Sequence, residues 1–156
     1  MAILQYRLDG RMLHGQVSTF ATYLRIDHFI VVNEKIANDD TQVMLLELAA
    51  IDASVDVVSP EDAFDLIEEE EDSDDRTMVV FKEISDLKEM VEKGFTCDEV
   101  DISGVYARGD REKVAACFFL DAQDREDLKY IMDKGIKLYH QIQNDLKKQD
   151  VADLVK

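Results

Sequence analysis

Residues 1–8, MAILQYRL, alternate loosely between apolar and polar positions as a strand does, whereas residues 17–24 follow helical spacing. Residues 9–16 therefore fall at a strand-to-helix junction. Further strand-sized apolar runs stand at residues 28–32, 55–58, 77–81, 98–102, 114–120 and 137–143. Helical stretches lie between them. The first covers residues 16–25, and the second follows a cap at Asp39 and carries Val43, Leu46 and Ala50 on one face. A third is opened by Ser59-Pro60-Glu61-Asp62, with an N-cap, a first-turn proline and acids suited to the helix dipole. Residues 84–93 and 121–134 form two more, each followed by a terminating glycine, Gly94 and Gly135. Asn144 or Asp145 can cap a last helix running to Val155. Residues 33–38 read as a polar connection and residues 103–113 as a polar crossing.

This alternation predicts an α/β fold: a doubly wound, mostly parallel sheet with right-handed crossovers and helices on both faces. The run at 114–120 follows no helix, so one strand is free to lie antiparallel. At 156 residues, a single domain spanning 1–156 is expected.

Charge narrows the function. The chain carries 18 Lys and Arg against 35 Asp and Glu, a formal net charge of −17, which opposes binding to nucleic acid or anionic lipid. The apolar runs are too short to cross a bilayer, and the start MAILQYRLD lacks a signal-peptide layout. A cytoplasmic protein is expected, reaching a membrane only through a partner. Cys97 and Cys117 form no CxxC pair and read as buried free thiols. His14, His28 and His140 show no metal-ligand spacing, so neither a metal nor a cofactor is expected. The acidic run at 68–75, EEEEDSDD, reads as a solvated helix end and loop.

The junction itself, residues 7–17 with the sequence RLDGRMLHGQV, carries the candidate chemistry. His14 offers a neutral imidazole nucleophile whose second nitrogen can be oriented. The backbone N–H groups of Gly15, Gln16 and Val17 open the helix and suit an anion attached to His14, and Gly15 lets the backbone approach closely. Arg11 supplies a planar set of donors for phosphoryl oxygens. Asp9 can orient the imidazole, or it can hold Arg11 or Arg7 in place. No P-loop or dinucleotide fingerprint occurs, and Asp9 stands among arginines rather than in the carboxylate cluster of a receiver domain.

RLDGRMLHGQV closely resembles the phosphorylation-site motif of the IIB components of the mannose/fructose/sorbose family of the bacterial sugar phosphotransferase system. The likeness continues through VVNEKIANDDTQVMLLELAA and, more weakly, through Phe81-Lys82. It implies a doubly wound α/β domain with the phosphorylated histidine at His14, its arginine at Arg11 and its aspartate at Asp9. It also implies a phosphotransferase that accepts phosphate from a phosphohistidine IIA protein. That phosphate passes to a sugar held by IIC and IID membrane subunits. The alternative is a IIB-like regulatory module that senses phosphorylated partners without making sugar phosphate.

Departures from the family pattern leave the His14 chemistry intact and bear on partner identity and transport competence. Phe20-Ala21 stands where members often have Arg-Trp, Asn33-Glu34 replaces a commonly acidic pair, Glu83-Ile84 replaces a polar-proline step, and the last strand lacks Val-Pro. An exposed Phe20 and open sheet edges suit a homodimer. Ser103, Gly104 and Arg108 can border the active loop, although ordinary turn roles fit them better. Asn38 and Asp39 fit helix capping better than phosphate contact.

Overall fold

The structure, a computed structural model, describes residues 3–156, leaving out the side chain of Gln16. Of the first expected strand, Met1 and Ala2 therefore lie outside the described residues. Strand β1 (Ile3–Asp9) is followed by α1 (Gly15–Leu24), β2 (His28–Val32), α2 (Glu34–Ala37), α3 (Asp40–Ala49) and β3 (Ser54–Val58). Next come α4 (Pro60–Glu71), β4 (Thr77–Phe81), α5 (Ile84–Glu92), β5 (Glu99–Gly104), β6 (Glu112–Ala115) and β7 (Phe118–Leu120). The chain closes with α6 (Ala122–Asp133), β8 (Lys137–His140), β9 (Gln149–Asp150) and α7 (Val151–Leu154). The main sheet has the order β3-β2-β4-β1-β5-β8-β9, parallel except where β9 runs against β8.

Helices cover both faces, as the alternation predicts. Val17 and Ala21 of α1 and Leu46 of α3 pack with Phe29, Val31, Met78 and Val80 on one face. Residues of α4, α5 and α6, among them Ile67, Leu87 and Leu128, pack on the other against Ile30, Val79 and Ile102. Strands β2 and β4 are buried along their whole length, which is why they read as continuous apolar runs. The helix starts follow local chemistry: Asp39 accepts from the Gln42 amide at 3.1 Å, and Ser59 from that of Asp62 at 3.2 Å.

Several expected boundaries move. The connection at 33–38 contains α2, whose N-cap Asn33 accepts from the Ile36 amide at 3.0 Å. The run at 114–120 is not one strand of the main sheet. Cys117 takes a φ of 57°, turning the chain so that β6 and β7 form a separate antiparallel hairpin. The antiparallel strand of the main sheet is β9 instead. The C-terminal helix is only α7, capped by Asp150 rather than by Asn144 or Asp145. Phe20, expected at the surface, is 5% exposed because its ring lies 4.8 Å under the Arg7 guanidinium. Among the described residues, the large apolar side chains that stand exposed are Met44, Leu45 and Leu48 on the outer side of α3, with Tyr23, Ile51 and Leu146 elsewhere.

Among the described residues, no helix is long and apolar enough to cross a membrane. The cysteines are free and half-buried, and burial pushes the Cys97 thiol up to about 12, so it is inert as a thiolate.

Candidate functional site

The strand order turns about β1: the chain leaves β1 for α1 on one face, while α5 and α6 flank β5 on the other. Ligands of open α/β sheets sit at such a switch point, beyond the carboxyl ends of the strands. The exits of β1 and β5 meet there, and the Gly10 amide donates to the Gly104 carbonyl at 2.9 Å.

The loop between β1 and α1 is shaped by its own sequence. Residues 9–12 form a tight turn in which the Met12 amide donates to the Asp9 carbonyl at 2.9 Å. Met12 then takes a left-handed φ of 60°, a conformation a non-glycine residue holds only when its surroundings fix it. Burial supplies that constraint, since Met12 and Leu13 both pack into the core formed by α1, β2 and β4. These two apolar residues anchor the loop from below. Arg11 is left outward on one side of them, and His14 emerges at the start of α1.

Asp9 ends β1 fully buried, and its Oδ2 lies 2.7 Å from Nε2 of His14, whose side chain is 15% exposed. Of the roles open to Asp9, the structure brings out the imidazole contact. The Arg11 amide also donates to Asp9 Oδ1 at 3.0 Å. Arg7 is engaged elsewhere. It is fully buried, pairs with Asp101 at 3.3 Å and donates to the Ile142 carbonyl at 2.6 Å. Burial works to discharge this pair and pushes Asp101 up to about 7, while Arg7 pulls the other way. Arginine does not give up its proton under these conditions, so the pair is ionic whenever Asp101 is deprotonated.

Gly15, Gln16 and Val17 form the first turn of α1, where backbone amides have no carbonyl one turn earlier to bond. The Val17 side chain is buried, so only its backbone can face a ligand. Gln16 is described by its helical backbone alone.

Three residues reach the site that sequence reasoning left out or placed in ordinary turns. Ser103 and Gly104 are not in a turn but at the buried end of β5. The Ser103 hydroxyl lies 3.4 Å from Asp9 Oδ2, and a Cβ on Gly104 would stand 2.7 Å from the Asp9 Cγ. Tyr106, two residues beyond β5, donates from its hydroxyl to Asp9 Oδ1 at 3.1 Å. No periodicity marks a residue 97 positions away in the chain as a neighbour of Asp9. Arg108 is tied instead to Glu83 at 3.3 Å, and Lys82 reaches the same carboxylate at 3.0 Å. These residues border a cleft of about 130 Å³ that runs from Gly10 to Arg111. A larger cavity of about 790 Å³ lies along the start of β1, between Gln5, Phe20 and Tyr139, and its lining does not include His14.

A second polar cluster sits at the opposite end of the sheet. Glu70, within the acidic run, is not solvated but 7% exposed, because His28 Nδ1 lies 2.9 Å from its Oε1. Asp56 takes His28 Nε2 at 2.7 Å. His28, Glu70 and Asp75 are the residues that bring possible metal-ligand atoms within 4.8 Å of one another among the described residues. Both ring nitrogens already face carboxylates, an arrangement that suits an imidazolium better than a metal-bound ring.

A buried carboxylate against a histidine at the switch point of a doubly wound sheet, beside a helix start and an arginine, defines a class of small α/β domains whose candidate site stands on the first strand-to-helix loop. Within that class, the chain belongs to the sorbose-subfamily IIB components of the sugar phosphotransferase system, whose family model, "PTS system sorbose subfamily IIB component", matches residues 3–156. It is 29% identical over 140 residues to the sorbose-specific EIIB component of Klebsiella pneumoniae, covering 88% of this chain and 85% of that one. It is 27% identical over 140 residues to the mannose-specific EIIAB component of Escherichia coli K12, covering 88% of this chain and 43% of that one. The crystal structure of the IIBSor domain of the Klebsiella pneumoniae sorbose permease superposes with a TM-score of 0.89 at 25% identity, covering 99% of this chain and 96% of that one.

Proposed function

We propose that this protein is a phosphoryl carrier: His14 accepts phosphate from a phosphohistidine IIA protein and passes it to a sugar held by IIC and IID membrane subunits. The observation that carries the reading is the 2.7 Å contact between Asp9 Oδ2 and His14 Nε2. When Nε2 carries the proton toward Asp9, the ring's lone pair is on Nδ1. Nδ1 then attacks phosphorus, the new N–P bond forms, and the donor's N–P bond breaks with its electron pair returning to the donor imidazole. Attack leaves the His14 ring cationic, and the buried Asp9 carboxylate stabilises that charge. In the second transfer the sugar hydroxyl oxygen takes the phosphoryl group, its proton is released, and His14 returns to its starting form.

Such a transfer needs positioning and neutralisation of spread negative charge, and little acid–base work. Arg11 and the first-turn amides of Gly15, Gln16 and Val17 supply that neutralisation. Residues 1–156 act as one IIB unit. The relative named for mannose joins IIA and IIB designations in one chain, which supports a IIA protein as donor. Membrane association runs through the IIC and IID partners.

The test is incubation with a ³²P-phosphorylated IIA protein followed by mapping of acid-labile label. Label on His14, absent from His14→Ala, is expected. Equal labelling of the variant overturns the assignment.

A further inference from the structure

We propose that Tyr106 is a positioning residue for this transfer: its hydroxyl fixes the Asp9 carboxylate that aims His14, and its ring face is the shelf on which the Arg11 guanidinium rests. This inference rests on the phosphoryl-carrier reading and adds to it a residue that sets the geometry of both halves of the site.

Two contacts define the role. The hydroxyl donates to Asp9 Oδ1 at 3.1 Å, while Arg11 Cζ lies 4.6 Å from the centre of the same ring. The two carboxylate oxygens of Asp9 thereby divide their work. Oδ2 faces His14, and Oδ1 is held by the Tyr106 hydroxyl and the Arg11 amide. A carboxylate held only at Oδ2 can rotate about its Cβ–Cγ bond and carry the imidazole with it. Holding Oδ1 removes that freedom, and the cation–π contact restricts the long Arg11 side chain in the same way.

Tyr106 can do this because its own place is fixed from behind. The Arg111 guanidinium donates to the Tyr106 carbonyl at 3.1 Å and is clamped on Asp124 at 2.8 and 3.3 Å. On the other side the Val105 backbone is bonded to the hairpin along β7, with its amide on the carbonyl of the turn residue Cys117 at 2.9 Å and its carbonyl accepting from the Phe119 amide at 2.8 Å. Two glycines make room for the ring. A Cβ on Gly104 would come within 2.6 Å of the hydroxyl, and one on Gly10 within 3.1 Å of the ring edge. Burial, with the nearby Asp9 charge, pushes the Tyr106 hydroxyl up to about 12, so it keeps its proton and remains a donor throughout the physiological range.

The test uses potassium phosphoramidate, a small N–P donor that bypasses the IIA protein. It is combined with ¹⁵N NMR of the His14 ring at a pH where the ring is neutral. Tyr106→Phe keeps the shelf and loses the hydroxyl; Tyr106→Leu loses both. Tyr106→Phe is expected to lower the maximal rate of His14 phosphorylation about tenfold, the worth of one hydrogen bond to a charged group. Half-saturation by phosphoramidate should stay within about twofold, the pattern of a group acting on geometry rather than ground-state binding. The Nε2–H tautomer of His14 should become less populated. Tyr106→Leu should fall about tenfold further, and in an Asp9→Asn background Tyr106→Phe should add little.

Rates within twofold of wild type in both variants overturn the proposal, as does an unchanged tautomer population in Tyr106→Phe. If phosphoramidate labels His14 but a phosphorylated IIA protein does not, the carrier reading fails and the positioning role stands or falls on the same rates. If neither donor labels His14, the tautomer population decides by itself.

Discussion

Asp9 Oδ2 and His14 Nε2 lie 2.7 Å apart across a tight turn, one residue fully buried at the end of a central strand and the other, partly buried, immediately before the first helix. Four residues of chain stand between them, and the turn brings them together because two of these, Met12 and Leu13, are pulled into the core. The histidine's orientation is thus set by packing as much as by hydrogen bonding.

Replacing Asp9 with Asn exchanges a carboxylate for an amide that can present an N–H to Nε2 and so favour the opposite tautomer. Labelling of His14 by phosphoramidate should fall about 100-fold, the cost of a reacting atom misplaced by a small distance, while the circular dichroism spectrum stays that of wild type. A rate within a few-fold of wild type removes Asp9 from the role of orienter.

Gly104→Ala places a methyl group 2.7 Å from both Cγ and Oδ1 of Asp9. Asp9 is fully buried and cannot swing away freely, so the variant should lose about 1–3 kcal/mol of stability and label more slowly. Ser103→Ala, which removes two long contacts, one with Asp9 at 3.4 Å and one with the Leu8 carbonyl at 3.3 Å, serves as the mild comparison. Urea unfolding and phosphoramidate labelling of the two variants side by side check the difference.

Arg7 and Asp101 stand opposite each other on β1 and β5 with no solvent exposure. Arg7→Met leaves the carboxylate without its partner, at a cost of about 3–5 kcal/mol. Asp101, already pushed up to about 7 by burial despite Arg7, then rises further. Because its folded value exceeds its unfolded one, the folded state binds more protons, and stability must fall as pH rises from about 4 toward and beyond 7. Urea midpoints should drop more steeply with pH in Arg7→Met than in wild type, and Arg7→Met/Asp101→Leu should recover part of the loss.

Burial works against a charged His28, yet its contacts with Glu70 and Asp56 outweigh burial and hold it above its ordinary value. The stabilisation it contributes is therefore complete below about 6.5 and lost as pH rises through the raised folded value. Glu70 changes in the opposite sense. Hydrogen bonds from Thr77 and His28 overcome burial and lower it to about 2, so its contribution is lost only as pH falls from about 4.5 toward 2. The stability gap between wild type and His28→Gln, followed by thermal unfolding between pH 5 and 9, should be widest at the acid end. A gap that does not change with pH contradicts the ion-pair assignment.

Much was determined by sequence alone. Apolar runs and helix caps specify α1, α3, α4, α5, α6 and the parallel strands to within a few residues, because strand burial and capping depend on local spacing, whereas the short α2 hides in a polar stretch. The motif at residues 7–17 also singles out Asp9, Arg11 and His14, which tertiary structure brings to one place. What the fold alone decided is the company these residues keep. Tyr106 and Gly104 reach Asp9 across the β1–β5 pairing, Arg7 turns away to Asp101, Phe20 goes under Arg7 instead of to the surface, and Glu70 leaves the acidic run to hold His28. Each is a contact between segments remote in the chain. Their partners depend on strand order and register, which no periodicity within a single segment encodes.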